Sequence, residues 1–293
     1  MSFVPHTKFP TVKTVRLATS GTWLEGNYDF SKTFDPFETY LRDYEKSPLL
    51  DLINTDASVD GALQFTRRWG PLRFDESCSE DVFINEQIYR LSHKRSLGWL
   101  PPISDMPKPG FRVGIEEFLE EQRKVKHLHL LWSAVRQSDY EKMRDLLKDW
   151  PETVWRVTTL REVFEADAAW LQNQVRKGTP ESLTRASAEC LHEICLRWVG
   201  LGNPLEPCLE PVEERSAVIG FRFVQHVRSL IDAIYFMVWL DLSKGQALID
   251  CANCGTAFLA RKRNQIYCSP HCTWAANSRR SYERRATKKM KER

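Results

Sequence analysis

The middle of the chain carries apolar residues at the spacing of α-helices. One stripe consists of Phe118, Val125, Leu128, Trp132 and Val135. Intervals of three, four and seven residues place such side chains on one face of a helix. A second stripe spans Met143–Trp150, where Ser138 or Asp139 can cap the helix and Pro151 ends it. The pattern therefore predicts two consecutive helices in this region.

The longest predicted helix runs from about Val212 to Leu242 and ends at Lys244 and Gly245. Its inner face would carry Ile219, Phe223, Val227, Leu230, Ile234, Met237 and Leu242. From Leu230 onward the segment is apolar nearly all round, which is typical of a helix at the centre of a domain. Two shorter helices are predicted before it, over Val154–Gln174 and Pro180–Val199.

Prolines punctuate the first part of the chain, so we expect few long helices there. Short periodic pieces occur at Phe37–Tyr44 and Asp60–Trp69, and the proline-rich segment Pro101–Gly110 is predicted to be a stiff connection or a boundary. The fold class that follows is mainly α. We expect a mainly helical body over 1–245, whose proline-punctuated first part, up to about residue 110, could form a subdomain, and a small C-terminal module over 246–293.

The C-terminal module contains two cysteine pairs. Cys251 and Cys254 form a C-x2-C pair, and Cys268 and Cys272 form a C-x3-C pair after thirteen intervening residues. Four thiolates at such spacing suit one tetrahedral Zn²⁺, with S–Zn distances of about 2.3 Å. His271 is a rival to Cys272 as the fourth ligand, and we favour Cys272. Because four protein ligands leave no open position for water, the ion is predicted to be structural and not catalytic.

Local signals around the cysteines predict a zinc knuckle built from a short β-turn or strand plus a helix. Gly255 permits the positive φ of a sharp turn, and Thr256–Leu259 can form a short strand with Phe258 as the plug of a very small core. Ser269 as N-cap and Pro270 at the first helical position then start a helix. A module this small needs the metal in order to fold, with a contribution on the order of 10 kcal/mol.

Charge is distributed unevenly along the chain. Residues 251–293 contain eleven Lys and Arg against two Glu, a net charge of +9, whereas 1–250 has a net charge of −6. This is the charge pattern of a module that contacts a polyanion. The linker from Gly245 to Cys251 is short, so we expect the module to dock against the body.

The predicted nucleic-acid-binding residues lie at the tip of the knuckle and along its helix. They are Arg261, Lys262, Arg263, Trp274, Asn277, Arg279, Arg280, Arg284, Arg285, Lys288 and Lys289. Four-residue spacing would align Arg280, Arg284 and Lys288 into a cationic ridge. Trp274 could stack on a base, or it could pack against the zinc module or the body.

The same residues resemble a known zinc-finger family. The matching positions are Cys251-Ala252-Asn253-Cys254-Gly255, Phe258, Tyr267-Cys268-Ser269, Cys272, Ala276, Arg279-Arg280, Tyr282 and Arg284. This pattern resembles the CGNR-type zinc fingers that close the C-terminus of many bacterial proteins of the ABATE class. Thr273-Trp274-Ala275 stands where that family has Gly-Asn-Arg, and an asparagine and an arginine follow a turn later, at Asn277 and Arg279. Near the other end of the chain, Leu50-Asp51-Leu52-Ile53-Asn54-Thr55 resembles the L-D-x-x-N-T opening of ABATE bodies.

The resemblance implies a helical sensor or partner-binding body followed by a zinc module, in a DNA-binding transcriptional regulator. We therefore expect a nucleic acid as partner, with DNA favoured over RNA. A homodimer and a small-molecule or protein ligand of the body are further expectations. Two alternatives stay open, namely a zinc-stabilised protein–protein adaptor and a binder of RNA or single strands, in which Tyr267, Trp274 and Tyr282 could stack on bases.

Composition and motifs bear on the remaining classes of protein. The apolar fraction of 42% is ordinary for a globular chain. No secretory signal follows Met1, and the longest apolar stretch, Leu230–Leu240, is far shorter than the ~20 residues of a membrane helix. We expect a cytoplasmic protein without a membrane segment. An enzyme is the least favoured class, since His192-Glu193 stands in H-E-x-x-C and not in the H-E-x-x-H motif of zinc proteases.

Overall fold

The computed structural model describes residues 9–72, 110–148, 170–196, 205–214, 217–227, 229–246, 248–262 and 265–291. Within these ranges the α-helices are α1 (Pro36–Arg42), α2 (Pro48–Asn54), α3 (Val59–Trp69), α4 (Ile115–Gln137), α5 (Tyr140–Lys148), α6 (Pro180–Leu196), α7 (Leu230–Ser243) and α8 (Pro270–Lys291). The strands are β1 (Phe9–Leu17), β2 (Trp23–Phe34), β3 (Gly110–Gly114), β4 (Leu205–Glu214), β5 (Ala217–Val227), β6 (Leu248–Asp250) and β7 (Ala257–Leu259). The prediction of a mainly α fold is confirmed.

The chain divides into two compact units. The first consists of 1–42, 55–122 and 197–236, and the second consists of 43–54, 123–196 and 237–293. The C-terminal cysteine module thus shares a unit with α2 and with α4 from residue 123 onward. The separate domain predicted over 246–293 stays a prediction.

The first unit combines a small antiparallel sheet with helices. β2 lies between β1 and β3, and Trp23 of β2 is paired with Gly114 of β3. The ring centroids of Phe65 in α3 and Phe118 in α4 are 5.5 Å apart, and both side chains are fully buried. This contact between two buried rings belongs to the apolar core of the unit, since large aromatic side chains contribute much of the buried apolar area.

A β-hairpin replaces the first half of the longest predicted helix. β4 and β5 pair in antiparallel register up to Val227, and α7 begins only at Leu230, so the prediction of one helix over Val212–Leu242 is wrong. In β5 the polar Arg222 stands between the aromatic Phe221 and Phe223. Aromatic and β-branched residues favour strands. Apolar residues at such positions satisfy the periods of both a helix and a strand.

Several other predicted helices are confirmed where the structure describes them. Asp139 caps α5, since its Oδ1 accepts a hydrogen bond of 3.1 Å from the backbone N–H of Lys142. α4 and α6 correspond to the predicted helices around Phe118–Val135 and over Pro180–Val199. Most of the predicted helix over Val154–Gln174 lies outside the described residues, and so does the Pro101–Gly110 connection apart from its last residue.

The second unit has its own apolar core. Its most deeply buried side chains include Leu49, Leu52, Leu128, Leu131, Met143 and Leu147. α5 packs against α6 in this unit, and Arg144 of α5 donates a hydrogen bond of 3.2 Å to the carbonyl of Gly178 just before α6. Across the described residues, no helix has both the length and the apolar character that crossing a membrane requires.

Candidate metal centre

The first cysteine pair lies in a turn between two short strands. β6 and β7 pair in antiparallel register, with Ile249 opposite Phe258, and Cys251 follows β6 directly. Gly255 closes the turn with a φ of +74°, and its N–H donates a hydrogen bond of 2.9 Å to the carbonyl of Cys251. A positive φ favours glycine because other residues carry a Cβ that crowds this conformation. The predicted role of Gly255 is therefore confirmed.

The second cysteine pair lies at the start of α8. The Ser269 hydroxyl accepts a hydrogen bond of 3.2 Å from the backbone N–H of Cys272, and the helix begins at Pro270. This is the serine cap followed by proline that the sequence predicted. The cap places Cys272 in the first turn of the helix.

The four cysteine sulfurs converge on one point. Their Sγ atoms all lie within 4.8 Å of one another. Cys268 Sγ is 3.5 Å from Cys272 Sγ, and Cys254 Sγ is 3.7 Å from each of them. Sulfurs held at about 2.3 Å from one ion, at the corners of a tetrahedron, would be about 3.8 Å apart. The cluster is therefore of the right size to hold a metal ion.

His271 does not belong to this cluster. Its side chain is exposed, whereas Cys272, its neighbour in α8, is 6% exposed and contributes its Sγ to the group. Among the described residues, the potential ligand atoms that converge here are four thiol sulfurs. A set of four soft thiolates without an oxygen ligand is the donor set of a structural zinc or iron–sulfur site.

Backbone N–H groups stabilise the thiolate of Cys251. Burial raises its pKa, but hydrogen bonds from the N–H groups of Cys268, Cys254 and Asn253 outweigh burial and lower the pKa to about 6. The Cys268 N–H lies 3.4 Å from Cys251 Sγ. Hydrogen bonds to the charged form favour ionisation, so Cys251 is prepared to act as a ligand near neutral pH.

Neighbouring groups also shift the pKa values of the Cys254 and Cys268 thiols. The Thr256 hydroxyl, 3.3 Å from Cys254 Sγ, is the main cause that lowers the pKa of Cys254. Burial raises the pKa of Cys268 to about 12, and the neighbouring sulfur of Cys272 adds to this effect. Several thiolates this close together repel one another, and a bound cation would remove that repulsion.

A very small apolar core supports the cysteines. Ile249, Cys251, Phe258 and Cys272 form a buried cluster, with Ala260, Tyr267 and Cys268 packed against it. Phe258 is 7% exposed, so its predicted role as the plug of the module is confirmed. A core of this size buries too little apolar surface to fold alone, which makes metal binding and contacts to the rest of the unit important.

Two such contacts come from the segment before and within α2. The Asn54 side chain forms a pair of hydrogen bonds with Ala257 of β7: its Nδ2 donates to the carbonyl at 3.0 Å, and its Oδ1 accepts from the N–H at 2.8 Å. Arg261, just after β7, lies 3.5 Å from Glu45 in an exposed ion pair. Asn54 thus provides β7 with the hydrogen bonds that a neighbouring strand would provide.

α4 and α5 contact the strand that leads into Cys251. The Trp132 indole N–H donates to the carbonyl of Gln246, two residues before β6. Asp250, the last residue of β6, lies 3.7 Å from His129 Nε2 and 3.6 Å from Lys142 Nζ. The His129 side chain holds the pKa of Asp250 below its ordinary value against the opposing effect of burial, and Lys142 contributes in the same direction. Gln246 and Asp250 thus contact α4 and α5 of the same unit.

α8 presents a cysteine side and an outward side. At about 100° per residue, Trp274 lies about 180° from the midpoint between Cys272 and Ala276. Cys272 and Ala276 are buried, whereas Trp274 is 69% exposed and Tyr282 is 75% exposed. The interpretation that Trp274 packs against the module or the body is therefore wrong.

The arginines of α8 fall into two groups. Arg279 lies towards the cysteine side, and its Nη2 donates a hydrogen bond of 3.3 Å to Asn253 Oδ1 in the turn of the first cysteine pair. Arg280, Arg284 and Arg285 are exposed, and no ion pair of theirs occurs within the described parts of the chain. Arg279 thus contacts the cysteine turn, while the other three point their charge to solvent.

The remaining predicted nucleic-acid-binding residues are placed as follows. Arg261 and Lys262 are exposed at the tip of the module, and Asn277 is exposed on α8. Arg263 lies outside the described residues. The last turns of α8 include positions 288 and 289, the predicted Lys288 and Lys289.

Sequence reasoning missed the residues that fasten the module to its unit. In the sequence, Asn54 stands in a short motif that carries no indication of this contact. The contacts of Asn253, Trp132 and Glu45 have no local pattern either, because their partners are 26 to 216 residues away along the chain. Thr256 stands two residues after Cys254, so its hydroxyl could have been anticipated near that sulfur.

Comparison of the chain with protein-family models, with curated proteins and with solved structures found no match. The cysteine cluster accordingly rests on its own geometry, which is consistent with a zinc finger. Membership of the CGNR or ABATE families stays a prediction from the matching residues.

Proposed function

We propose that the four cysteines bind one structural Zn²⁺ ion. Cys251, Cys254, Cys268 and Cys272 would be its ligands. The sulfur separations of 3.5 to 3.7 Å among Cys254, Cys268 and Cys272 fit the ~3.8 Å edge of a zinc–thiolate tetrahedron. When bound, the ion would neutralise the thiolates and join the β6–β7 turn to the start of α8. Its role is to hold these two segments together, because no ligand position is left for a reacting water.

We further propose that the protein is a DNA-binding regulator whose basic helix α8 contacts the phosphate backbone. One observation carries this proposal: α8 is held at its cysteine end, while Arg280, Arg284 and Arg285 are exposed and lack acidic partners among the described residues. Cations oriented on a helix with one fixed end can neutralise phosphates at defined positions. The net charge of +9 over 251–293 supports a polyanionic partner.

The regulatory part of the proposal comes from the resemblance to CGNR-type zinc fingers and ABATE bodies. On that basis the residues up to 245 would bind a small molecule or a protein, and the cysteine module would bind DNA. A single small module contacts few base pairs, so a homodimer would extend the site. Bacterial origin and the transcriptional role belong to this same resemblance.

A matched pair of triple variants tests the phosphate contacts. Arg280→Gln, Arg284→Gln and Arg285→Gln together should weaken binding to a duplex and reduce the log–log salt slope by about 2 to 3, since each lost phosphate contact contributes about 0.9. The control removes the same charge elsewhere, at the exposed Lys13, Arg67 and Arg123. Equal effects of the two triple variants would show that only net charge matters, and would contradict a site on α8.

A protein–protein adaptor is the second candidate function. The exposed Trp274 and Tyr282, together with arginines, are the residue types enriched at the centres of protein interfaces. Capture of one protein by the full chain after nuclease treatment, with loss of capture in Trp274→Ala, would favour this function over DNA binding.

A further inference from the structure

The outward face of α8 combines aromatic rings with cations. Trp274, Ser278 and Tyr282 follow one another at intervals of four residues and therefore form one ridge of the helix. The exposed fractions of the two aromatic side chains are 69% and 75%, whereas Trp23 is 38% exposed and Trp69 is 8% exposed. Within the described part of the chain, the side chains of Trp274 and Tyr282 have no hydrogen bond and no ring contact. Two large exposed rings without a partner on one short ridge are suited to bind a ligand.

The positive charge next to the ridge indicates the chemical class of the ligand. Arg285 lies about 20° from Trp274 around the helix axis, and Arg284 lies about 80° away on the other side. Both guanidinium groups are exposed and without an ion pair among the described residues. Rings flanked by cations suit a ligand that has flat apolar groups along an anionic backbone, and a single nucleic-acid strand has this chemistry. The bases of an intact duplex are stacked on each other and offer no free face.

We infer that α8 binds unpaired DNA, with Trp274 and Tyr282 as stacking platforms for bases and Arg284 and Arg285 as phosphate contacts. The inference rests on the proposed function and adds the class of substrate to it. The Cα atoms of residues 274 and 282 are about 12 Å apart along the helix at 1.5 Å per residue. At about 3.4 Å per stacked nucleotide, two bases fit between the two rings. Ser278, midway along the ridge, is small enough to leave this space open.

The test compares one labelled strand of mixed sequence, 15 nucleotides long, in three forms: single-stranded DNA, the same strand in a duplex, and the RNA strand of equal sequence. Binding of the full-length, zinc-loaded protein is followed by fluorescence anisotropy. Trp274→Ala should weaken single-strand binding roughly 5- to 100-fold, the range expected for the loss of one base–aromatic stack. Duplex binding should change less than about 2-fold, because backbone contacts dominate it.

Three controls define the role of the ring. Trp274→Phe keeps a smaller π face and should lie between the wild type and the alanine variant. Leu41→Ala truncates another exposed apolar side chain, on α1, and should change nothing. Subtracting the tryptophan emission of Trp274→Phe from that of the wild type isolates the emission of Trp274. Binding of the single strand should quench this emission, which a merely structural role of Trp274 would not produce.

The outcomes separate the two proposals. If Trp274→Ala weakens both DNA forms equally or neither, while Arg284→Gln and Arg285→Gln still weaken binding, the stacking inference is overturned and the proposed function stands. Tighter binding of the RNA strand that depends on Trp274 would overturn the assignment to DNA. If no form binds and the arginine variants have no effect, both the proposed function and the inference fail.

Discussion

Asn54 and Ala257 are joined by two reciprocal hydrogen bonds, although 203 residues separate them in the sequence. The side-chain amide of Asn54 accepts from the N–H of Ala257 and donates to its carbonyl. Ala257 is 2% exposed and begins β7, three residues after Cys254. The strand that follows the first cysteine pair is thus positioned by a residue at the end of α2.

Loss of this amide should destabilise the protein. Asn54→Ala would leave the buried N–H and carbonyl of Ala257 without partners, so we expect the free energy of unfolding to fall by about 1 to 3 kcal/mol. Asn54→Asp keeps the acceptor but places a second oxygen against the Ala257 carbonyl, so it should destabilise the protein as well. Urea denaturation followed by circular dichroism measures the change.

The control for this prediction is Asn27→Ala. Asn27 is exposed, and its side chain donates a hydrogen bond of 3.3 Å to Thr14 Oγ1 on a neighbouring strand. Its removal should change stability by less than about 0.5 kcal/mol. If Asn54→Ala is no more destabilising than Asn27→Ala, the Asn54–Ala257 pair does not hold the module.

Removal of one cysteine should abolish tight metal binding. Cys272→Ala leaves three sulfurs and removes the ligand that α8 contributes, so zinc content should fall from about one ion per chain towards zero. Cys190→Ala, which removes a buried cysteine in α6, should retain the ion. Elemental analysis after gel filtration gives the ratio, and full zinc retention by Cys272→Ala would exclude the four-sulfur site.

Acid should release the metal. The pKa of Cys251 is lowered to about 6 from an ordinary value of 9.0. A thiol whose pKa is lowered in the folded state stabilises the folded protein. This contribution is full at a pH above the ordinary pKa and is lost as the pH falls through the pKa of the folded state. Metal binding also requires deprotonated thiols. We therefore expect zinc to be retained at pH 7 and released progressively below about pH 6.

A chromophoric zinc chelator present during a pH titration reports this release. Cys190→Ala serves as the control and should show the same profile as the wild type. Release that begins above pH 8 and is insensitive to acid would contradict the thiolate assignment.

Adjacent arginines on α8 should behave differently. Arg279 donates a hydrogen bond to Asn253 in the cysteine turn, whereas Arg280 is exposed without a partner among the described residues. Arg279→Ala should therefore lower stability by about 0.5 to 1.5 kcal/mol. Arg280→Ala should leave stability within about 0.5 kcal/mol and weaken DNA binding instead.

Parallel thermal unfolding and anisotropy measurements separate these effects. The two variants remove the same charge from neighbouring positions, so each is a control for the other. Equal losses of affinity with equal stabilities would mean that Arg279 has no special role in holding the cysteine turn.

The parts of this site that could be predicted from sequence are those encoded locally. The cysteine spacing, the turn at Gly255 and the helix start at Ser269 and Pro270 each depend on residues a few positions apart, and the structure has all of them. The outward position of Trp274 depends on which side of α8 is packed, and the sequence left that open. Helical periodicity with Cys272 as the reference point would have been sufficient to decide it.

Features that depend on distant contacts could not be predicted in this way. The segment containing Ile219 and Phe223 has an apolar pattern that is compatible with a helix, and its pairing with β4 makes it a strand. The β1–β2 hairpin was missed as well, because prolines in the same region indicated interruptions and not strands. The partner of Asn54 lies on a strand of only three residues, which no local pattern links to α2.

Binding of DNA by a metal-held α8 can be tested in a single experiment. Fluorescence anisotropy of a labelled DNA, duplex and single-stranded, is recorded with the full-length protein across a salt series, with and without a strong zinc chelator. We expect the affinity to fall with salt at a log–log slope of about −3 to −5 for a few phosphate contacts, and to be lost when zinc is removed. Binding that is insensitive to salt, or that is unchanged after zinc has left the protein, would contradict this expectation.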